Sequence, residues 1–95
     1  MHFVYILFSE KINRFYIGET PDVQVRLNQH NFHYFTSNFT KSANDWILKL
    51  AIECVDKKKA LFLEKFIKRM KSRKFIEKAI NNPSILQNIL DKKSP

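Results

Sequence analysis

Five side chains in this sequence are of types that manage anions, protons or charge: Tyr5, Tyr16, Arg26, His30 and Glu64. The two phenols stand eleven residues apart, each inside a short apolar stretch, and Arg26 and His30 are four apart. A guanidinium meets phosphate oxygens through two parallel hydrogen bonds. An imidazole titrates near neutrality and suits proton transfer. A phenol with an unperturbed pKa near 10 is ionised in only about one molecule in a thousand at neutral pH. It needs neighbouring positive charge before it can serve as a base. Glu64 is the sole carboxylate between Asp56 and Glu77, in a run dominated by Lys and Arg. As an ordinary helix residue it pairs with Lys68 at i,i+4, worth a few tenths of a kcal/mol.

Charge gives these residues a setting. The chain has 95 residues and a net charge of +8. Residues 57–78 hold ten of the seventeen Lys and Arg but two of the nine Asp and Glu, and the rest of the chain is neutral. A positive field concentrated on one segment calls for a polyanion, nucleic acid before anionic membrane. A solvated helix face is the plainer explanation of the same charges. Ninety-five residues make one small domain, and 44% hydrophobic content with nine Phe supports a single core. The single cysteine, Cys54, has no internal partner and suits a reducing, cytoplasmic setting. The longest apolar run, Phe3 to Phe8, is too short to span a bilayer, so no membrane association is expected.

Elements must bring the five together. Phe3 to Phe8 is apolar on both alternations and reads as a central strand. Ser9 to Asn13 is a hairpin connection, and Arg14 to Gly18 a second strand. Gly18 is the only glycine; at a strand end it marks a turn or a close backbone approach. Placing Tyr5 opposite Tyr16 sends both phenols out of one face. Thr20 caps a helix from Pro21 to Asn31, with Val23 and Leu27 toward the sheet and Arg26 and His30 beside that stripe, aimed at the sheet's edge. Arg26 there either meets an anion or snorkels to water. Phe32, Tyr34, Phe35 and Phe39 lie in a long connection, where they pin the loop or stack on bases. Trp46 to Val55 alternates as a strand, with Trp46, Leu48, Leu50, Ile52 and Cys54 on one side. A helix from Lys57 presents Leu63, Phe66, Ile67 and Met70 on one face, Ser72 interrupts or recaps it, and Asn82-Pro83 breaks the chain before a last short helix. The fold class is α+β: a three-stranded antiparallel sheet flanked by helices, in the order ββαβα plus one or two C-terminal helices. The domain is expected over residues 1–91, with 92–95 a frayed tail.

In that order and spacing, Val4-Tyr5-Ile6-Leu7, Phe15-Tyr16-Ile17-Gly18, Arg26-Leu27-Asn28-Gln29-His30-Asn31 and Ala60 to Lys68 resemble the GIY-YIG nuclease domain, over about residues 2–80. The small, free-standing, single-domain bacterial members are the most similar. The resemblance implies a metal-dependent endonuclease cutting phosphodiester bonds, with DNA favoured as partner, in structured or single-stranded form. It implies that Glu64 holds one divalent ion, Mg²⁺ before Mn²⁺, and that Arg26 holds the scissile phosphate. Tyr5 is then the group that activates water, Tyr16 positions water or phosphate, His30 assists proton transfer, and Gly18 lets the backbone come close. On chemistry alone His30 serves equally as the base, with Tyr5 orienting. Lys65, Lys68, Arg69, Lys71 and Arg73 are expected to contact phosphates without regard to sequence. Phe3-Val4-Tyr5 stands where the family has Gly-Ile-Tyr, and neither Asn81 nor Asn82 matches the asparagine many members carry after the metal glutamate. The alternative is a non-catalytic nucleic-acid-binding module on the same fold.

Overall fold

Strand β1 (His2–Ser9) is apolar on both alternations because it is the middle strand of the sheet. The computed structural model, which describes residues 1–32 and 43–93, has strand order β2-β1-β3, with β2 spanning Arg14–Thr20 and β3 Ile47–Cys54. Both neighbours run antiparallel to β1. Helix α1 (Val23–Asn31) follows β2; α2 (Lys57–Met70), α3 (Arg73–Asn81) and α4 (Ser84–Lys93) follow β3. The order is therefore ββαβα with two further helices, an α+β fold as expected. Residues 94–95 lie outside the described residues, as do Tyr34, Phe35 and Phe39; Phe32 is exposed.

The two faces of β1 bury two separate clusters. Val4 and Ile6 join Ile17, Ile52 and Cys54 beneath Ala60, Leu63, Ile67, Ala79, Leu86 and Leu90 from the last three helices. Tyr5 and Leu7 join Ala43 and Trp46 on the other face, against Tyr16, Val23 and Leu27. Leu63 and Ile67 are fully buried, each contributing about 1.5–3 kcal/mol by leaving water. Met70, expected on the same face, is exposed, because α2 ends there: Lys71 takes the left-handed conformation (φ 47°) and Ser72 caps α3 by accepting from the Phe75 N–H.

Four sequence expectations are corrected. Tyr5 pairs with Gly18, not Tyr16, whose partner is Leu7. The hairpin closes later than expected, Ser9 pairing with Arg14, and β2 continues to Thr20, so Gly18 is interior to the strand. The slip is two residues, which preserves the faces, so both phenols still leave one side. Helix α1 is capped by Asp22, whose carboxylate accepts from the Val25 N–H at 3.1 Å; Thr20 Oγ1 instead accepts from the Asp22 N–H. The alternation of 46–54 does not hold to one face. Ile6 pairs with Leu50 but Leu7 with Leu48, a β-bulge that turns the strand over. Trp46 consequently lies in the Tyr5 cluster, whereas Ile52 and Cys54 lie in the opposite one.

Side chains lock the ends of the sheet. The Asp45 carboxylate accepts from Ser9 Oγ at 2.6 Å and from the Lys11 N–H at 3.0 Å, which holds its pKa below the ordinary value. Arg73 donates to the Asn13 carbonyl at 3.0 Å and to Asn13 Oδ1 at 2.7 Å, fixing the hairpin where Asn13 adopts φ 55°.

Candidate active site

Tyr5 projects from β1 directly over Gly18. A Cβ on Gly18 would lie 2.5 Å from the phenol oxygen, 2.7 Å from Cζ and 3.0 Å from Cε1. The close approach expected at this glycine is therefore the approach of the tyrosine ring itself. No positive φ is involved, so the requirement is steric and not conformational.

Lying flat on Gly18, the phenol reaches α1 from below. Its oxygen is 2.8 Å from His30 Nε2, and both side chains are buried, each 1% exposed. His30 was expected beside the apolar stripe and aimed at the sheet's edge; it faces inward instead, because Val23 and Leu27 seat α1 squarely on this face. Tyr16 completes a trio of rings, with centroids 4.7 Å from His30 and 6.2 Å from Tyr5.

Burial shifts both members of the pair away from charge. The Tyr5 phenol is raised well above its usual range, first by desolvation and then by Tyr16, with the positive charge of Arg26 opposing. His30 is lowered to about 4, again first by desolvation and then by Arg26. The pair is therefore a neutral phenol and a neutral imidazole near pH 7. Arg26 is half-buried on α1 and acts on both through its charge. The negative charge of Glu64 also acts on Tyr5, raising its pKa.

β2 is an edge strand, and α2 comes alongside it. Glu64 on α2 accepts from Lys68 Nζ at 2.6 Å, and that ammonium lies 5.8 Å from the Tyr16 ring centroid. Glu64 thus makes the i,i+4 pair expected of it, on the side of the helix that meets Tyr16. Tyr5, Tyr16 and His30 meet in one ring cluster, and the charges of Arg26 and Glu64 both act on Tyr5. The basic residues divide. Lys68, Lys71 and Arg73 line a groove that begins at Tyr16, whereas Lys65 and Arg69 are exposed and do not line it. Arg73 is engaged with Asn13 and sits over the Phe8 and Phe15 rings.

Sequence reasoning passed over Asn31. Its side chain donates to the Trp46 carbonyl at 2.9 Å and accepts from the Trp46 N–H at 2.7 Å, pairing with one residue as a backbone partner would. This ties the end of α1 to the start of β3 and sets Trp46 against Tyr16, 6.4 Å between ring centroids. A polar residue at the last helical position was the only signal.

Among the described residues no group of three or more His, Cys, Asp and Glu could enclose a metal ion. Glu64, already holding a cation, offers one carboxylate. That donor set fits Mg²⁺, which keeps several waters and binds through one or two carboxylates plus a phosphate, better than a metal needing a protein cage.

A family model for the GIY-YIG catalytic domain matches residues 1–78, and the chain belongs to this nuclease family, whose members generally use a divalent metal. No curated protein and no solved structure matches the chain. No described helix is long and apolar enough to cross a membrane.

Proposed function

We propose that this GIY-YIG family chain is a metal-dependent endonuclease that hydrolyses phosphodiester bonds in DNA, in structured or single-stranded form. One observation carries the reading: the buried 2.8 Å contact between Tyr5 and His30, with the charges of Arg26 and Glu64 both acting on the phenol. A tyrosine kept neutral beside a neutral histidine is a proton path awaiting an acid. Arg26 binds the non-bridging phosphate oxygens and offsets the charge that develops on them. The attacking water gives its proton to Tyr5 Oη while Tyr5 passes its own to His30 Nε2. The resulting imidazolium is disfavoured beside Arg26 alone. A phosphate paired with that arginine relieves the repulsion. Tyr16, packed on His30, borders the water's approach. Glu64 would hold the Mg²⁺ once Lys68 yields the carboxylate, and Lys68 is then close enough to Tyr16 to neutralise phosphate. The bound ion would supply charge neutralisation at the phosphate and the leaving oxygen.

The test is a nicking assay on single-stranded, duplex and branched DNA and on RNA, with Mg²⁺ or EDTA. Glu64→Ala should abolish the metal-dependent product, and Arg26→Ala should slow it by about 10²–10³-fold, the loss typical of one transition-state donor. Equal residual activity in wild type and both variants refutes the proposal. The second reading, a non-catalytic nucleic-acid-binding module, draws on the Lys68–Glu64 pair, which occupies the metal-binding carboxylate. It predicts salt-dependent binding without cleavage, and binding unchanged in Tyr5→Phe.

A further inference from the structure

Between edge strand β2 and the α2–α3 junction runs a groove of about 700 Å³ that opens at Tyr16 and Lys68. Such a volume falls within the roughly 300–1,000 Å³ of sites that take drug-sized ligands. Its floor is apolar, made by Phe15, Ile67 and Ile76, and its rim is cationic, with Arg14, Lys68 and Lys71. Among the described residues no acidic side chain lines it. The floor is held in advance: the Arg73 guanidinium, bonded to Asn13, lies 5.2 Å from the Phe15 ring centroid.

We infer that this groove binds an unpaired nucleotide next to the phosphate to be cut, its base on the Phe15–Ile67–Ile76 floor and its phosphate on the Arg14–Lys71 rim. The inference rests on the nuclease reading for the word "cut" and deepens it by naming the form of the substrate. A continuous duplex offers phosphates along its backbone and keeps its bases stacked, so it needs cations but not an apolar floor. An unpaired nucleotide offers both a phosphate and a π-face that gains by leaving water, and binds to aromatic and cationic surfaces together. Lys68 and Lys71 of the rim belong to the segment that carries the chain's entire net charge, and Arg14 adds a cation from β2, which favours a polyanion over a protein segment or a second copy of the chain. Continuity does the rest: Tyr16, with Lys68 over its ring, lines the groove and packs on Tyr5, so a strand leaving the groove meets the ring cluster at Tyr16.

Binding is measured in EDTA, where nothing is cut, with a single-stranded oligonucleotide carrying 2-aminopurine and with a blunt duplex of the same length. Wild type should quench the 2-aminopurine. Phe15→Leu keeps an apolar floor but removes the ring face; it should lose the quenching and bind the single strand about tenfold more weakly. Its duplex affinity should change by less than about twofold, since the floor makes no duplex contact. Ile76→Ala, which shortens the same apolar floor from α3 and removes no cation, should also weaken the single strand selectively. It keeps the question open to refutation should Phe15→Leu fail to fold. Equal losses on both DNA forms, or no loss on either, overturn the inference, as does a dimer that Phe15→Leu dissociates with nucleic-acid binding unaltered. Cleavage by wild type without selective loss in the variants removes the groove and leaves the nuclease. Selective loss without any cleavage keeps the nucleotide site and removes the nuclease.

Discussion

Replacing Gly18 with alanine adds one carbon at the point where Tyr5 lies on the strand. The new Cβ would sit 2.5 Å from the phenol oxygen, and ordinary contact begins at 3.4 Å, so the ring must retreat by nearly an ångström. It has nowhere empty to go: Tyr5 is 1% exposed, with Tyr16 and His30 around it. A shift of that size inside a filled pocket spoils the geometry of the 2.8 Å hydrogen bond with His30. Two opposing quantities decide the outcome. Alanine in a strand is better than glycine by roughly 0.5–1 kcal/mol, and the backbone at Gly18 is open to it. Overpacking costs about 1–3 kcal/mol, and two buried polar groups losing each other cost about 1–3 kcal/mol more. The destabilisation should therefore be about 3 kcal/mol, read as a fall in the urea midpoint at unchanged m-value. A double-mutant cycle with Tyr5→Phe sharpens the test. Without its hydroxyl the tyrosine loses both the nearest clash and the bond to His30, so the two substitutions should couple by at least about 1 kcal/mol. Additive effects, or a Gly18→Ala protein as stable as wild type, would show that the ring does not rest on this glycine. Metal-dependent cleavage should fall with the displaced phenol; normal cleavage by Gly18→Ala would remove Tyr5 from the proton path.

Other consequences follow from the same geometry. Asn31→Ala strands the Trp46 N–H and carbonyl and should cost about 1–3 kcal/mol, with a red-shifted Trp46 fluorescence that reports its loosened packing. Stability should form a plateau between roughly pH 6.5 and 10. Below pH 6.5 the unfolded chain binds a proton at His30 that the folded chain refuses until about pH 4, so stability falls with falling pH, by on the order of 3 kcal/mol in all. Above pH 10 the unfolded chain releases the Tyr5 proton that the folded chain retains, so stability falls again with rising pH. His30→Gln should flatten the acid limb alone in a urea titration across pH. Glu64→Gln should leave the urea midpoint nearly unchanged, since an exposed i,i+4 pair is worth well under about 1 kcal/mol, while abolishing Mg²⁺-dependent cleavage.

The sequence was legible wherever one periodicity fixed one face. β1 is apolar at every position from Phe3 to Phe8 and is central; α2 places Leu63 and Ile67 at helical spacing and buries both. The register was harder, because a two-residue slip satisfies the same alternation and only the length of the hairpin separates the choices. The bulge was invisible for a related reason. Trp46, Leu48, Leu50, Ile52 and Cys54 alternate without interruption, so nothing in the pattern marks where the strand turns over. The five candidate residues could be gathered by chemistry and order. The depth of His30 could not, since α1 offers only Val23 and Leu27 to orient it.

Burial also bears on which group takes the proton. As a lone base, Tyr5 would have to ionise against desolvation that Arg26 only partly offsets, and His30 would have to accept a proton beside that same arginine. Each is a poor base alone, and each is poor for a reason the other answers. Tyr5 need never hold a full negative charge if it gives up its proton as it receives one. His30 need not meet the water if the phenol stands between them at 2.8 Å. The one remaining cost, a buried imidazolium near a guanidinium, lasts only while no anion is paired with Arg26. In the proposed mechanism, substrate binding would remove it as the proton moves. In that mechanism the pair would stay neutral until a phosphate binds. Tyr5→Phe and His30→Gln should therefore lower cleavage to a similar extent, and the double variant should fall little further than either one. Losses that multiply would mean that the two act separately.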